Sequence, residues 1–350
     1  MRRLPCLLWL LAVGVGCNPL ASRVFQAGLE ANLGADLREE LEAGLHVLLC
    51  GAGGPLPDPH RGGPCVAVIA GRQVVVVDAG SGAARSLARL GLAPGVVAAL
   101  FLTHFHSDHI DGIGELATLR WVGQGHTEPL PVYGPPGVSR VTSGFNEAYA
   151  LDAAYRTAHH GEQVAPRGGA GLVPRGFELP GSDQPTLLYE REGLRVLVFA
   201  VDHAPVAPAV GYRFEYAGRS VVVSGDTARS SSLERAAQDV DLLVHDGLAA
   251  HMVALMQQRA SQVGLANLAK IASDIPDYHA TPVAAAELAQ AAGAKHLLFY
   301  HIVPPLPLDL LEGLFLQGVA AAYAGPVTLG RDGTLVSLPQ GSTRIVIDER

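Results

Sequence analysis

Three histidines and one aspartate are packed into the segment from His104 to His109, in the pattern His-x-His-x-Asp-His. The apolar run before it, residues 96–102, is typical of a buried strand. A strand followed by a tight turn directs neighbouring side chains into one space. The fold must therefore place this segment where a strand ends and its side chains can converge. Neutral imidazole and carboxylate suit Zn²⁺ or a similar borderline metal. The segment therefore predicts a metal site at a strand end, without distinguishing one metal from two.

Further candidate ligands follow other apolar runs of the chain. His203, Asp226 and His301 each come directly after such a run, and Gly225 allows a sharp turn just before the aspartate. Each residue alone has an ordinary interpretation as a core histidine or a turn aspartate. Because strands that end at one edge bring their last residues together, the four strand ends jointly favour one shared metal centre.

These motifs, with Asp202-His203-Ala204-Pro205 and Ser224-Gly225-Asp226-Thr227, resemble the metallo-β-lactamase superfamily, in the branch of ribonuclease Z and the arylsulfatase-like hydrolases. The resemblance extends over roughly residues 45–338. It implies an α/β fold, the four-layer αββα metallo-β-lactamase sandwich, with two Zn²⁺ ions, or Mn²⁺ or Fe in their place. The implied ligands are His104, His106 and His203 for one metal, Asp108, His109 and His301 for the other, and Asp226 as the bridge.

The same resemblance implies roles for residues around the metals. Asp108 is expected to orient or deprotonate the attacking water in addition to binding metal. His245 resembles the histidine that stabilises or protonates the departing group in the ribonuclease Z branch, and Asp246, where glutamate is usual, is expected to orient it. Asp78 is expected to accept a hydrogen bond from a ligand histidine. The role of His279 stays open: it is either a loop residue that supports the ligands or a residue of the pocket.

The amino terminus has the pattern of an export signal. Two arginines precede an apolar run at 4–16 that is shorter than a membrane span. Cys17 stands where a bacterial lipoprotein is cleaved and acylated, but the flanking residues fit imperfectly, so a lipoprotein, a secreted protein and a signal anchor remain open. The expected organisation is a signal peptide at 1–17, a helical tether at 18–44 and a catalytic domain at 45–340. The expected location is the periplasm, and membrane association through an N-terminal lipid or signal anchor stays open.

Charge and spacing guide the prediction of the substrate. The chain has 25 basic against 33 acidic side chains, a formal net charge of −8, and no basic arm. Only 23 positions separate His203 from Asp226, where tRNA-processing relatives often carry a substrate-gripping arm. The leading hypothesis is an exported hydrolase that uses a metal-bridging hydroxide to cleave a small-molecule phosphodiester or aryl sulfate ester, with no nucleic-acid partner.

Several alternatives remain open from the sequence. The chain could be a tRNA 3′-processing endoribonuclease, a lactone or β-lactam hydrolase, or a metal-binding lipoprotein without activity. A homodimer is open because dimers are common in the resembled family. Cys50 and Cys65 could form a disulfide or remain buried thiols. Candidate pocket walls are Phe105, Trp121, Tyr149, Tyr155 and the Pro304–Pro307 loop.

Overall fold

A computed structural model describes residues 19–32, 34–181 and 184–350, without the side chains at 19, 20 and 30–32. The signal peptide predicted at 1–17, including Cys17, lies outside these residues, and the predicted location stays a prediction. The chain divides after Ala35 into two units, and the second extends from Asp36 to Arg350. That unit exceeds the predicted 45–340 domain at both ends, because Leu37 is buried in its core and Val346–Glu349 forms a sheet strand.

Twelve α-helices are present in the described residues, and none has the length and hydrophobicity to cross a membrane. The first unit contributes α1 alone. Thr281 caps α10 by accepting a hydrogen bond from the Ala284 N–H, and Pro282 occupies the first helical position. The helices are α1 (Pro19–Asn32), α2 (Leu37–Glu40), α3 (Ala83–Arg89), α4 (Ser107–Ile110), α5 (Ile113–Gln124), α6 (Val138–His160), α7 (Ser231–Ala236), α8 (Ala250–Gln262), α9 (Ala266–Asp274), α10 (Pro282–Ala292), α11 (Glu312–Phe315) and α12 (Val319–Ala322).

Fifteen strands are present in the same residues, and the fully buried ones are rich in valine, isoleucine and leucine, which suit strands covered on both faces. They are β1 (Gly44–Gly51), β2 (Cys65–Ala70), β3 (Gln73–Val77), β4 (Val97–Phe101), β5 (Leu130–Gly134), β6 (Leu172–Gly176), β7 (Thr186–Arg191), β8 (Leu194–Ala200), β9 (Val210–Tyr216), β10 (Arg219–Val223), β11 (Leu242–Leu248), β12 (Leu297–Val303), β13 (Val327–Leu329), β14 (Thr334–Pro339) and β15 (Val346–Glu349). One sheet has the order β15-β14-β1-β2-β3-β4-β5-β6 and the other β13-β12-β11-β10-β9-β8-β7.

The two sheets pack face to face, and helices cover their outer faces. Val77 of β3 and Val244 of β11 belong to the core between the sheets. Leu116 of α5 packs on the outside of the first sheet, and Leu288 of α10 packs on the outside of the second. These four layers are the predicted αββα sandwich, which is confirmed.

Cys50 of β1 and Cys65 of β2 form a disulfide with Cα atoms 5.0 Å apart. The bond closes the loop 51–64, whose Gly53 forms a parallel bridge to Ile302 of β12. The other end of the loop contacts the histidine-rich segment, since a Cβ on Gly63 would lie 3.1 Å from the Asp108 carbonyl oxygen. The disulfide therefore restrains a loop that borders two strand ends with candidate metal ligands.

Candidate metal centre

The segment His104–His109 leaves β4 and turns into α4. Asp78, at the end of β3, holds the start of this turn, because its carboxylate accepts hydrogen bonds from the Thr103 N–H at 2.9 Å and from the Thr103 hydroxyl at 2.8 Å. The same carboxylate accepts a hydrogen bond from His109 Nδ1 at 2.8 Å. Asp78 thus occupies the supporting position expected from the sequence and leaves Nε2 of His109 directed elsewhere.

The structure brings all seven predicted ligands together. The donor atoms fall into two groups, each within 4.8 Å: one contains His104, His106, His203 and Asp226, and the other contains Asp108, His109 and His301. Oδ2 of Asp226 lies 3.8 Å from His104 Nε2, 3.3 Å from His109 Nε2 and 3.2 Å from His301 Nε2. One carboxylate oxygen therefore faces both groups, as a bridging ligand must.

Buried atoms without a partner show that this donor set fits metal ions. Among the described residues, His109 Nε2, His203 Nε2 and Asp226 Oδ1 are buried and make no hydrogen bond. Leaving such an atom unpaired costs roughly 1–3 kcal/mol, which a bound cation would offset. The opposite nitrogen of His203 is anchored, since Nδ1 donates to the Tyr278 carbonyl at 2.9 Å. Imidazole and carboxylate donors in two groups around a shared aspartate suit a dinuclear site.

Burial and the carboxylates shift the pKa values of the ligands in opposite directions. Burial lowers the pKa of His104 well below its ordinary value and also lowers that of His203. Burial acts in the same direction on His109, but Asp226 and Asp78 outweigh it and raise the pKa of His109 well above the ordinary value. Burial would raise the pKa of Asp226, yet His301 and His109 hold it well below its usual range. A bound cation would therefore compete with a proton for His109, whereas burial already disfavours the protonated forms of His104 and His203.

The sequence suggested that His301 follows a strand, but the structure places it within β12. β12 continues to Val303, and its pairing with β11 skips one residue, because Asp246 pairs with Tyr300 and Gly247 pairs with Ile302. His301 is this extra residue, with φ of 46°. A bulge of this kind re-aims a side chain, so it directs His301 toward Asp226.

The structure places His279, rather than His245, beside the metal ligands. His279 Nδ1 lies 3.0 Å from Asp246 Oδ2, and its donor atoms group with those of Asp226 and His301 within 4.8 Å. His245 is 1% exposed, and its Nδ1 lies 2.9 Å from the carbonyl oxygen of Asp246. It is not among the residues that line the cavity. The Asp246 carboxylate therefore contacts both histidines, and the one that lines the cavity is His279.

A cavity of about 240 Å³ opens at the donor atoms. Its lining includes an apolar side that the sequence did not reveal: Pro55, Ile271, Ile275, Tyr278 and Val303. The apolar spacing from Leu268 through Ile271 to Ile275 is helical and could have predicted α9.

The aromatic side chains proposed as pocket walls lie elsewhere. Trp121 and Tyr149 line a separate cavity of about 280 Å³ between α5 and α6, and Tyr155 is 66% exposed. Phe105 packs with the outer core of the first sheet.

Comparison with known proteins gives consistent matches. A family model described as a β-lactamase superfamily domain matches residues 73–302. Ribonuclease Z of Mycolicibacterium paratuberculosis is 36% identical over 290 residues, which cover 82% of this chain and 96% of that protein. Ribonuclease Z of Mycobacterium marinum is 33% identical over 290 residues, which again cover 82% of this chain and 96% of that protein. The crystal structure of the short form of human tRNase Z matches with a TM-score of 0.59 at 21% identity, covering 84% of this chain and 99% of that chain, which shows the fold.

These relatives contradict two expectations drawn from the charge. The leading hypothesis of a hydrolase for small phosphodiesters or aryl sulfates is wrong, and so is the expectation that nucleic acid is not a partner, because the relatives are named as ribonucleases. The predicted export stays a prediction. The net charge misled because it describes the whole surface, whereas the charge at this site would come mainly from bound cations.

Proposed function

Because the chain belongs to the metallo-β-lactamase superfamily, we propose that it is a ribonuclease Z-like endoribonuclease that removes 3′ trailers from tRNA precursors with two Zn²⁺ ions. The observation that carries the proposal is the 36% identity to a ribonuclease Z over 96% of that protein's length. The site supports it, since the donor set suits two borderline cations and a histidine–aspartate pair lies beside them.

The residues of the chain would hold the metals and move protons around them. The two cations, when bound, would supply positive charge for the scissile phosphate and acidify a water molecule. Burial would raise the pKa of Asp108, but hydrogen bonding and charge from His301 and His109 lower it, so the carboxylate stays ionised. Its side chain is 14% exposed, which keeps it within reach of a substrate and able to accept a proton from water.

His279 is the residue that we assign to protonation of the departing ribose oxygen. Its Nδ1 is held by Asp246, which is fully buried, so Nε2 is left to face the cavity. Burial would raise the pKa of Asp246, but hydrogen bonds from His245 and His279 lower it and keep the carboxylate charged. A charged carboxylate fixes the ring orientation and stabilises the imidazolium that donates the proton.

The region that carries the arm in tRNA-processing relatives is short in this chain. β9 and β10 form a hairpin whose connection consists of Ala217 and Gly218. RNA binding by this chain would therefore depend on the surface around the metal cavity. The match to the mycobacterial ribonuclease Z nevertheless spans nearly the whole length of that protein, so the missing arm does not exclude the activity.

The test is cleavage of a tRNA precursor that carries a 3′ trailer by the purified full-length protein loaded with zinc. We expect release of the trailer at one position, and we expect chelation of the metal to abolish it. An Asp108→Asn variant is the matched control, because it preserves the size of the side chain but removes the carboxylate that would bind metal and accept the proton. A zinc-loaded protein that leaves the precursor intact would refute the proposal.

A further inference from the structure

The cavity at the metal donors is lined by apolar side chains as well as by the polar donors, and we call the apolar part of its lining the apolar side. Ile271 on α9 lines this cavity although it is 55% exposed, which is a high exposure for an isoleucine beside a polar site. Ile275 and Tyr278 continue the same side of the cavity. Exposed apolar surface next to a group of metal ligands indicates a binding surface for part of a substrate.

This apolar side is held in place by the second sheet. Ala272 of α9 is buried with Leu248 and Val253, and Ile275 packs against them. Tyr278 is fixed by the ligands, since its carbonyl accepts the hydrogen bond from His203 and their rings lie 5.0 Å apart. The apolar side is therefore positioned by the same contacts that position the metal donors.

The apolar side offers no charge to a phosphate. No lysine or arginine lines the cavity among the described residues. Lys270, the cation of α9, is exposed and pairs with Asp274 one turn later at 2.6 Å. A planar, uncharged group fits this surface better than a second phosphate does.

We infer that Ile271 and Tyr278 form a clamp for one unpaired nucleobase that flanks the scissile phosphate. The inference rests on the proposed function, because it assigns the part of an RNA substrate next to the reacting phosphate. Bases of any identity stack on aromatic side chains. An unpaired base can enter such a clamp without the cost of breaking a base pair. The clamp thus selects a single-stranded RNA segment at the cleavage site.

The test compares an intact tRNA precursor with precursors that lack one base, on either side of the cleavage site. For the wild-type protein, loss of the clamped base should lower kcat/KM about ten- to hundredfold, the range that stacking of one base provides. Ile271→Ala should lower kcat/KM for the intact precursor about tenfold, and removal of the base should then cause little further loss, because both changes remove one contact.

Four further variants separate the clamp from other causes. Tyr278→Phe should retain the effect of base removal, whereas Tyr278→Ala should lose it, with metal content measured for both. Leu255→Ala on α8 alters another exposed apolar residue, which does not line the cavity, and should behave as wild type. Lys270→Gln should also be neutral, and a large loss there would indicate phosphate binding instead.

The outcomes distinguish this inference from the proposed function. Wild-type protein that does not cleave the intact precursor would end the proposed function and the clamp with it. Wild-type protein that cleaves it, but is indifferent to the missing base, or shows the same penalty after Ile271→Ala, would leave the function standing and refute the clamp.

Discussion

Replacing His279 with alanine removes the imidazole that connects the cavity to Asp246. The ring also lies 5.4 Å from that of His301, a candidate metal ligand, so it is placed to reach the departing group of a substrate that binds at the metals. A positioned proton donor typically contributes about 10²- to 10⁴-fold to the rate, which corresponds to roughly 3–5 kcal/mol in the barrier. We therefore expect kcat for a tRNA precursor to fall by about 10³-fold, with unchanged metal content because His279 is outside the implied ligand set.

The size of the effect should depend on the leaving group. A ribose oxygen needs a proton as it departs, whereas p-nitrophenolate is stable as an anion. Single-turnover cleavage of a labelled precursor is therefore measured beside hydrolysis of bis(p-nitrophenyl) phosphate. We expect His279→Ala to lower the second rate by less than about tenfold, because the acid contributes little there.

His245→Ala is the matched control for this prediction. His245 is buried beside Asp246 but does not line the cavity, so its loss should lower the free energy of unfolding by roughly 1–3 kcal/mol and should lower kcat far less than His279→Ala does, because Asp246 keeps its contact with His279. A large loss of RNA cleavage in His245→Ala with little change in His279→Ala would refute the assignment. Equal losses on both substrates in His279→Ala, together with lost metal, would make His279 a ligand.

Three other properties follow from the structure. Asp226→Ala should lower the metal content below two ions per chain in elemental analysis, because one carboxylate oxygen faces both groups of donors; a retained pair would contradict the bridging role. Reduction of the Cys50–Cys65 bond, which closes a separation of 15 residues, should lower the free energy of unfolding in urea by about 3 kcal/mol, and Cys50→Ser should be insensitive to reductant. Burial lowers the pKa of His296 from 6.5 to about 4, so the unfolded chain binds the extra proton between these values and stability should fall by about 3 kcal/mol from pH 7 to pH 4 in metal-free protein. His296→Gln should reduce that fall, and an unchanged pH dependence would contradict the assignment.

The layers of the fold and the grouping of the ligands could be predicted because their signals are local. Each ligand candidate follows an apolar run, and strands that end at one edge of a sandwich bring such residues together. The resemblance to a known family then separated the seven residues into two groups around Asp226, and the structure places them in the same two groups.

The choice between His245 and His279 could not be made from the sequence, because it depends on the direction of side chains. Val244 faces the core between the sheets, so the next residue on β11, His245, points to the outer side. His279 comes from a loop whose position depends on α9 and the start of α10. Only the packed structure shows which histidine reaches the cavity.

The disulfide and the substrate could not be predicted from the sequence either, because neither is set by a local pattern of residues. Cys50 and Cys65 come within bonding distance through the register of β1 on β2, which shifts between Leu49 and Gly51. Net charge suggested a small ester as the substrate because it averages over the whole surface and says nothing about one cavity.

The most direct test of the account is cleavage of a tRNA precursor by full-length protein whose zinc content has been measured in the same sample. We expect about two zinc ions per chain and removal of the 3′ trailer, and we expect Asp226→Ala to lower the zinc content below two ions per chain and to abolish the cleavage. Two bound zinc ions with no cleavage of the precursor would contradict it.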